Sequence, residues 1–438
     1  MGLALRYMAR HKKGYKAWFF ADFNYAADWR TLFNFWRSDL WAGITVGVVA
    51  LPLALGFAIT TGAPASAGLT TAIIAGFIAA LFGGSNYQVS GPTGAMTVVL
   101  VPIVAKYGID SLIPIGIGAG LLIILMAFLK LGRFIDSVPW SVMEGFTLGI
   151  AVIIALQQIP LVFDVNKAAG SHTLGVAIDT LKLAFQQEIK VTSLALVIST
   201  LLVKWSWPKV RERFGLKAHI PASIIAVISL TTISQLLDLN VNRIGELPRN
   251  LDFNFAISFS DLPINGLVYA IFVVALLGAI ESLLSARVAD GMARKTIDHE
   301  QQKHEPNKEL LGQGLATIAS AFAGGLPATG AIARTSVNVR SGARTRLASM
   351  IHAVFLLLVV LLLAPLVSII PTAVLAGVLL GTSLRIASPR SVKEALTTTK
   401  AEAAVYLLTA TAVIAIDLIW GIIIGLIAHK IAKTLKGS

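Results

Sequence analysis

Apolar runs, each bounded by polar, Gly or Pro positions, set the pattern of this chain and predict fourteen spans. The first seven fall at about 41–60, 65–82, 93–106, 111–131, 138–158, 191–205 and 219–237. The second seven fall at about 264–286, 310–323, 330–340, 346–368, 370–384, 400–417 and 419–435. A tilted helix needs roughly 20 apolar residues to cross a bilayer, and most of these runs reach that length. The third and tenth do not. Each follows a marked stretch: Ser90-Gly91-Pro92-Thr93-Gly94-Ala95-Met96-Thr97 in the first half, Leu326-Pro327-Ala328-Thr329-Gly330-Ala331-Ile332-Ala333-Arg334 in the second. A Phe and two glycines precede each copy: Phe82, Gly83, Gly84 and Phe322, Gly324, Gly325. A Pro-Gly interruption before a short helix, repeated in matching places, marks the binding site of a membrane carrier.

The halves echo one another elsewhere. Val48-Val49-Ala50-Leu51 in the opening span of the first half answers Val273-Val274-Ala275-Leu276 in the second. Seven is odd, so the second half enters the membrane upside down relative to the first. The expected fold is therefore an all-α integral membrane protein with fourteen transmembrane segments in a 7+7 inverted repeat, its half-helices 3 and 10 each preceded by a short extended segment. The corresponding units are a cytoplasmic N-terminal segment 1–38, a first repeat 39–237, an external linker 238–261, a second repeat 262–435 and a cytoplasmic tail 436–438. Residues 172–187 read as a surface helix, and 385–399 as one lying along the cytoplasmic interface.

Composition agrees: of 438 residues, 56% are hydrophobic and only 13% charged, more apolar surface than a soluble domain of this size can hide. The net charge of +13 invites a nucleic-acid reading, which its distribution removes. Alternating loops put 29 basic residues on one side and 6 on the other, with Arg334 inside a span. This bias orients both termini to the cytoplasm in the plasma (inner) membrane and sets the basic face against anionic lipid, so no nucleic-acid partner is required. The absence of cysteine excludes thiol catalysis and disulfides. Met1–Ser38 has no apolar core of the signal-peptide kind. No phosphate loop or Ser-His-Asp order is present, so an enzyme is not expected, nor a resident cofactor or metal. The cluster Asp298-His299-Glu300 with His304-Glu305 reads as a solvated loop.

Inversion also decides where the short helices point. One starts near Thr93 and runs outward; the other starts near Gly330 and runs inward, so both N-termini meet near the midplane. Each offers free N–H groups and about half a positive charge from its dipole, which together make an anion site. Gly94 and Gly330 let a ligand reach the backbone, while Thr93 and Thr329 donate or cap. Glu281 lies deep in the eighth span, where a charge costs at least about 2.5–3.5 kcal/mol and so marks a pathway. Ser285, one turn on, can share a proton or Na⁺ with it. Arg334, one turn into the tenth span, can pair with an anion's oxygens or form a structural ion pair with Glu281. Glu144 and His352 read as interfacial.

Four motifs in order carry a resemblance. Gly43-Ile44-Thr45-Val46-Gly47-Val48-Val49-Ala50-Leu51-Pro52, Gly91-Pro92-Thr93-Gly94-Ala95-Met96-Thr97, Leu277-Gly278-Ala279-Ile280-Glu281-Ser282-Leu283-Leu284-Ser285 and Pro327-Ala328-Thr329-Gly330-Ala331-Ile332-Ala333-Arg334-Thr335 resemble the SulP anion transporters, the sulfate permease and bicarbonate transporter family. The resemblance covers roughly residues 38–435. It implies a core domain (spans 1–4 and 8–11), a gate domain (spans 5–7 and 12–14), homodimers and elevator movement of the core. It also implies an anion site at the helix starts, on Thr93, Gly94, Ala95, Met96, Thr329, Gly330, Ala331, Ile332 and Arg334, with Phe57 from the first span. Glu281 matches the family's cation-coupling carboxylate, and glutamate there is similar to the proton-linked branch. Many members carry a STAS domain after the last span; none is expected within this sequence, which stops at Ser438. The function expected is secondary transport of sulfate or bicarbonate, coupled to H⁺ or Na⁺. A nucleobase carrier of the same fold is the nearest alternative, followed by an anion channel or membrane sensor. Residues 326–340 hold no acidic group, which disfavours the nucleobase.

Overall fold

The computed structural model describes residues 29–30, 32–135, 138–170, 173–187, 190–215, 221–246, 263–296 and 303–436. Each of the fourteen apolar runs carries a helix. In the first half these are α1 (Trp36–Thr61), α2 (Ala65–Phe82, with one π-turn at Thr71–Ala75), α3 (Gly94–Tyr107), α4 (Leu112–Phe128), α5 (Trp140–Gln157), α7 (Val191–Arg213) and α8 (Ala222–Leu236), with α6 (Thr173–Gln186) along the surface. In the second half they are α9 (Ile264–Thr296), α10 (Pro306–Phe322), α11 (Ile332–Arg340), α12 (Leu347–Ser368), α13 (Thr372–Ile386), α15 (Lys400–Ala415) and α16 (Leu418–Lys436), with the short amphipathic α14 (Pro389–Leu396) between α13 and α15. Among the described residues, seven helical stretches are long and apolar enough to cross a membrane, α9 and α12 among them. The protein is thus a multi-pass helical membrane protein.

Several helices outrun their apolar signal. The α9 helix continues ten residues beyond the predicted 286, and α7 eight beyond 205, through Pro208. Hydropathy ends where lipid ends, but a helix ends only where its backbone is broken. Pro306 instead advances a start: it stands at the first position of α10, where its missing N–H is harmless. The N-terminal boundary moves slightly too, because α1 begins at Trp36 and the carboxylate of Asp39 is fully buried. It accepts from the amides of Arg344 and Thr345 at 2.7 and 3.2 Å, tying the start of α1 to the α11–α12 turn.

The helices sort into two packed groups. In one, α10 lies along α4 and α2, α12 along α1 and α2, and α9 against α4 and α11. In the other, α15 lies along α5 and α16, and α13 along α7, α8 and α5. The groups meet where α1 touches α13 and α3 touches α5.

Between α2 and α3, and again between α10 and α11, the chain runs extended through the interior. Ser90–Gly91 (β1) pairs antiparallel with Thr329–Gly330 (β2), Ser90 opposite Gly330 and Gly91 opposite Thr329. Away from water such backbone needs internal partners, and side chains supply them. Glu309 accepts from the amides of Gly84 and Ser85 at 2.8 and 3.0 Å and from Gln88 Nε2 at 2.6 Å. Gln313 Nε2 donates to Ala328 O at 2.8 Å, and Leu326 N donates to Thr71 Oγ1 at 2.6 Å. The two segments are clamped into one crossing.

Candidate functional site

The crossing delivers both helix starts to one place. Pro92 has no N–H and disfavours helix before it; Thr93 then caps α3, its Oγ1 accepting from Met96 N at 3.3 Å. The second helix begins at Ile332, two residues later than Gly330, with Ala331 as an N-cap lacking a side-chain bond. Thr93 Oγ1 and Thr329 Oγ1 stand 2.8 Å apart, so the two repeated motifs touch. Both hydroxyls also contact Glu281 Oε2, at 2.9 and 2.6 Å. These three oxygens, one from each of three segments, form a buried triangle.

A cavity of about 470 Å³ opens beside it, lined by Phe57, Thr93, Gly94, Ala95, Glu281, Ala331, Ile332 and Arg334 from one helix group and by Glu144, Ile150 and Ile154 from the other. By helix geometry the amides of Gly94, Ala95, Ile332 and Ala333 have no acceptor within their own helices, and all four residues line the cavity. Arg334 is 1% exposed; its Nη2 donates to Pro92 O at 2.8 Å, while Nη1 has no hydrogen-bond partner. The alternative, a structural ion pair of Arg334 with Glu281, is not formed among the described residues. Arg340, Thr382 and Arg385 line the cavity as well.

Other expected residues lie elsewhere. Met96, Thr329 and Gly330 are buried but stand outside the cavity lining. Gly330 N donates to Ser282 Oγ at 3.0 Å, and a Cβ there would come within 2.2 Å of Gln88 Nε2. The close neighbour of Gly94 is Ile154 Cδ1, 2.1 Å from an added Cβ. Both glycines thus make room for side chains of the protein itself, and Gly94 also lines the cavity. Ser285 donates to Thr335 Oγ1 at 3.0 Å rather than turning to Glu281. The serine that reaches the crossing is Ser282, which the i, i+4 rule passed over. His352 is fully buried within the protein beside Gly76, and among the described residues neither ring nitrogen has a hydrogen-bond partner. Glu144 lines the cavity from α5. Of the loop carboxylates and histidines, 298–300 lie outside the described residues, and His304 pairs with Asp290 at 2.8 Å.

Reasoning from the sequence also missed Gln88, Glu309 and Gln313, which hold the crossing. Three polar side chains beside apolar runs were the available signal; only long-range pairing reveals their partners.

Interrupted helices meeting tip to tip beside a buried carboxylate and an arginine are the arrangement in which membrane carriers build their binding sites. A family model described as the Sulfate permease family matches residues 36–409. The chain belongs to that family. It is 36% identical over 402 residues to a putative sulfate transporter, YvdB, of Bacillus subtilis, covering 89% of this chain and 72% of that one. It is 35% identical over 357 residues to the bicarbonate transporter BicA of Picosynechococcus, covering 78% of this chain and 60% of the relative. Among solved structures, the transmembrane domain of a cyanobacterial BicA superposes with a TM-score of 0.80 at 32% identity, covering 89% of this chain and 98% of that domain. SLC26A9 shares the fold at a TM-score of 0.82 and 14% identity, covering 97% of this chain and 70% of that one.

Proposed function

We propose that this protein is a secondary transporter of a small inorganic oxyanion, sulfate or bicarbonate, across the plasma membrane, built as a 7+7 inverted repeat. The carrying observation is the contact of the two Thr-Gly-Ala motifs, Thr93 Oγ1 to Thr329 Oγ1 at 2.8 Å, beside a cavity into which both helix starts and Arg334 open. Antiparallel pairing of β1 with β2 is what inversion requires. An anion in the cavity meets first-turn amides from α3 and α11 and the unpartnered Nη1 of Arg334. The relatives named for sulfate and for bicarbonate transport support this substrate class.

In this reading the α1–α4 and α9–α12 group is the moving core, and the α5, α7, α8, α13, α15 and α16 group the gate. The cavity lies at their junction, so sliding the core past Ile150 and Ile154 transfers the site from one face to the other. The coupling ion is H⁺. Three oxygens in mutual contact at 2.6–2.9 Å lie at hydrogen-bond distance. The two threonine protons serve only two of the three contacts. A proton on Glu281 completes the ring and cancels one charge as the anion crosses, each uncompensated charge costing about 2.3 kcal/mol per 100 mV.

The test is uptake of labelled sulfate and bicarbonate into proteoliposomes under imposed pH and Na⁺ gradients. Saturable uptake with counterflow, driven by acid on the side of entry, is the expected result. Flux without saturation would indicate a channel, and a Na⁺ gradient acting alone would replace H⁺.

A further inference from the structure

A second and larger cavity, about 840 Å³, lies next to the candidate site and belongs to neither helix start. Its walls come from both helix groups: Thr45 and Val49 of α1, Val337 and Arg340 of α11, Lys204, Trp205 and Arg211 of α7, and Thr382 and Arg385 of α13. Four cations line it, Lys204, Arg211, Arg340 and Arg385, and no carboxylate does. Among the described residues none of the four is in an ion pair. Lys204 is held by backbone and hydroxyl, donating to Val378 O at 2.7 Å and Thr382 Oγ1 at 3.2 Å. The three arginines, Arg211, Arg340 and Arg385, stay charged, and such a concentration of unpaired positive charge in one concavity calls for a polyatomic anion.

Two apolar side chains in its walls are exposed. Trp205 is 67% exposed and Leu384 61% exposed, and Lys209 Nζ sits 3.6 Å from the Trp205 ring centroid. Tryptophan and lysine together at the end of an apolar helix mark the headgroup layer. The volume is far more than one sulfate needs and opens where phospholipid headgroups lie. We infer that this cavity binds the phosphate of an anionic phospholipid, with the acyl chains leaving past Trp205 and Leu384. The basic face to which the charge count assigns these residues is the one that meets anionic lipid. Because the walls belong to both groups, an occupied site restrains the core against the gate. This inference stands independently of which anion the central cavity carries.

The test titrates the purified protein with dioleoyl phosphatidylglycerol or dioleoyl phosphatidylcholine and counts bound lipids by native mass spectrometry. Phosphatidylglycerol should fill a saturable site that phosphatidylcholine does not. Arg211→Gln and Lys204→Gln should each weaken it about fivefold, the worth of one basic residue at such a surface, and Arg211→Lys should keep most of the affinity. If Lys204→Gln does not fold, Arg211→Gln, at a half-buried position near the end of α7, carries the test alone. Equal binding of both lipids, unchanged by Arg211→Gln, would mean annular lipid only and overturn the site. Displacement by inorganic phosphate at matched ionic strength would assign the cavity to a free anion and overturn the lipid reading. In phosphatidylcholine vesicles, added phosphatidylglycerol should slow anion exchange by the wild type more than by Arg211→Gln; equal slowing would overturn the clamp.

Discussion

Glu281 and Arg334 lie close to a single crossing yet make different bonds. The carboxylate of Glu281, 8% exposed, is held by the hydroxyls of Thr93 and Thr329. Glu281→Gln keeps the size and the hydrogen bonds but removes the exchangeable proton. In proteoliposomes it should abolish accumulation driven by a pH gradient while sparing exchange; accumulation at the wild-type level would remove Glu281 from coupling. In the proposed H⁺ symport, acid on the side of entry should load Glu281 and speed uptake, and alkaline conditions there should slow it. Arg334→Ala should raise KM for the anion roughly 10- to 100-fold, the worth of one charge-assisted hydrogen bond in a dry site, and a KM unchanged within twofold would make Arg334 structural. Both residues were legible in the sequence as charges inside apolar runs. Ser282 was not, because its partner, the Gly330 amide, is 48 positions away and leaves no local trace.

At the scale of elements, the crossing of β1 with β2 is what aligns α3 and α11. Gly91 sits at φ +149°, and a Cβ there would come 2.6 Å from Arg334 Nη1. Gly91→Ala should therefore both strain the backbone, by about 1–3 kcal/mol, and displace the guanidinium. A lower melting temperature together with a raised KM is the expected pair of readouts. The threonine contact can be weighed by a double-mutant cycle of Thr93→Val and Thr329→Val on anion affinity. A coupling of about 0.5–3 kcal/mol is expected for groups in direct contact, whereas additive effects would mean that the hydroxyls act independently. The short lengths of α3 and α11, 14 and 9 residues, were readable from the Pro-Gly interruptions. The exact start of α11 was not: nothing local forbids helix at Gly330, and its amide is drawn away only by Ser282.

For the whole molecule, the proposed movement of one helix group against the other is what an experiment should challenge. A Cβ on Gly56 of α1 would lie 2.9 Å from Leu379 Cδ1 of α13, and the chain contains no cysteine. Gly56→Cys with Leu379→Cys therefore offers one clean cross-link between the groups. Oxidation should stop uptake and a reductant should restore it; undiminished uptake by the cross-linked protein would exclude sliding at this junction. The same junction carries both cavities, which share Leu53, Val337, Arg340, Thr382 and Arg385 in their walls. None of this grouping is written in hydropathy, which scores every buried helix alike.

The sequence by itself determined the apolar runs, the repeated Thr-Gly-Ala motif, the two short helices and the charges within them. Each of these depends on neighbours a few residues apart, where periodicity and Pro-Gly breaks act. Only the tertiary structure decided which hydroxyls reach Glu281, that Ile154 and Gln88 occupy the space beside Gly94 and Gly330, and that His352 is buried. Those outcomes depend on pairing across tens to hundreds of residues, and in lipid that pairing is set by satisfying every interior polar group, a condition on the folded chain as a whole.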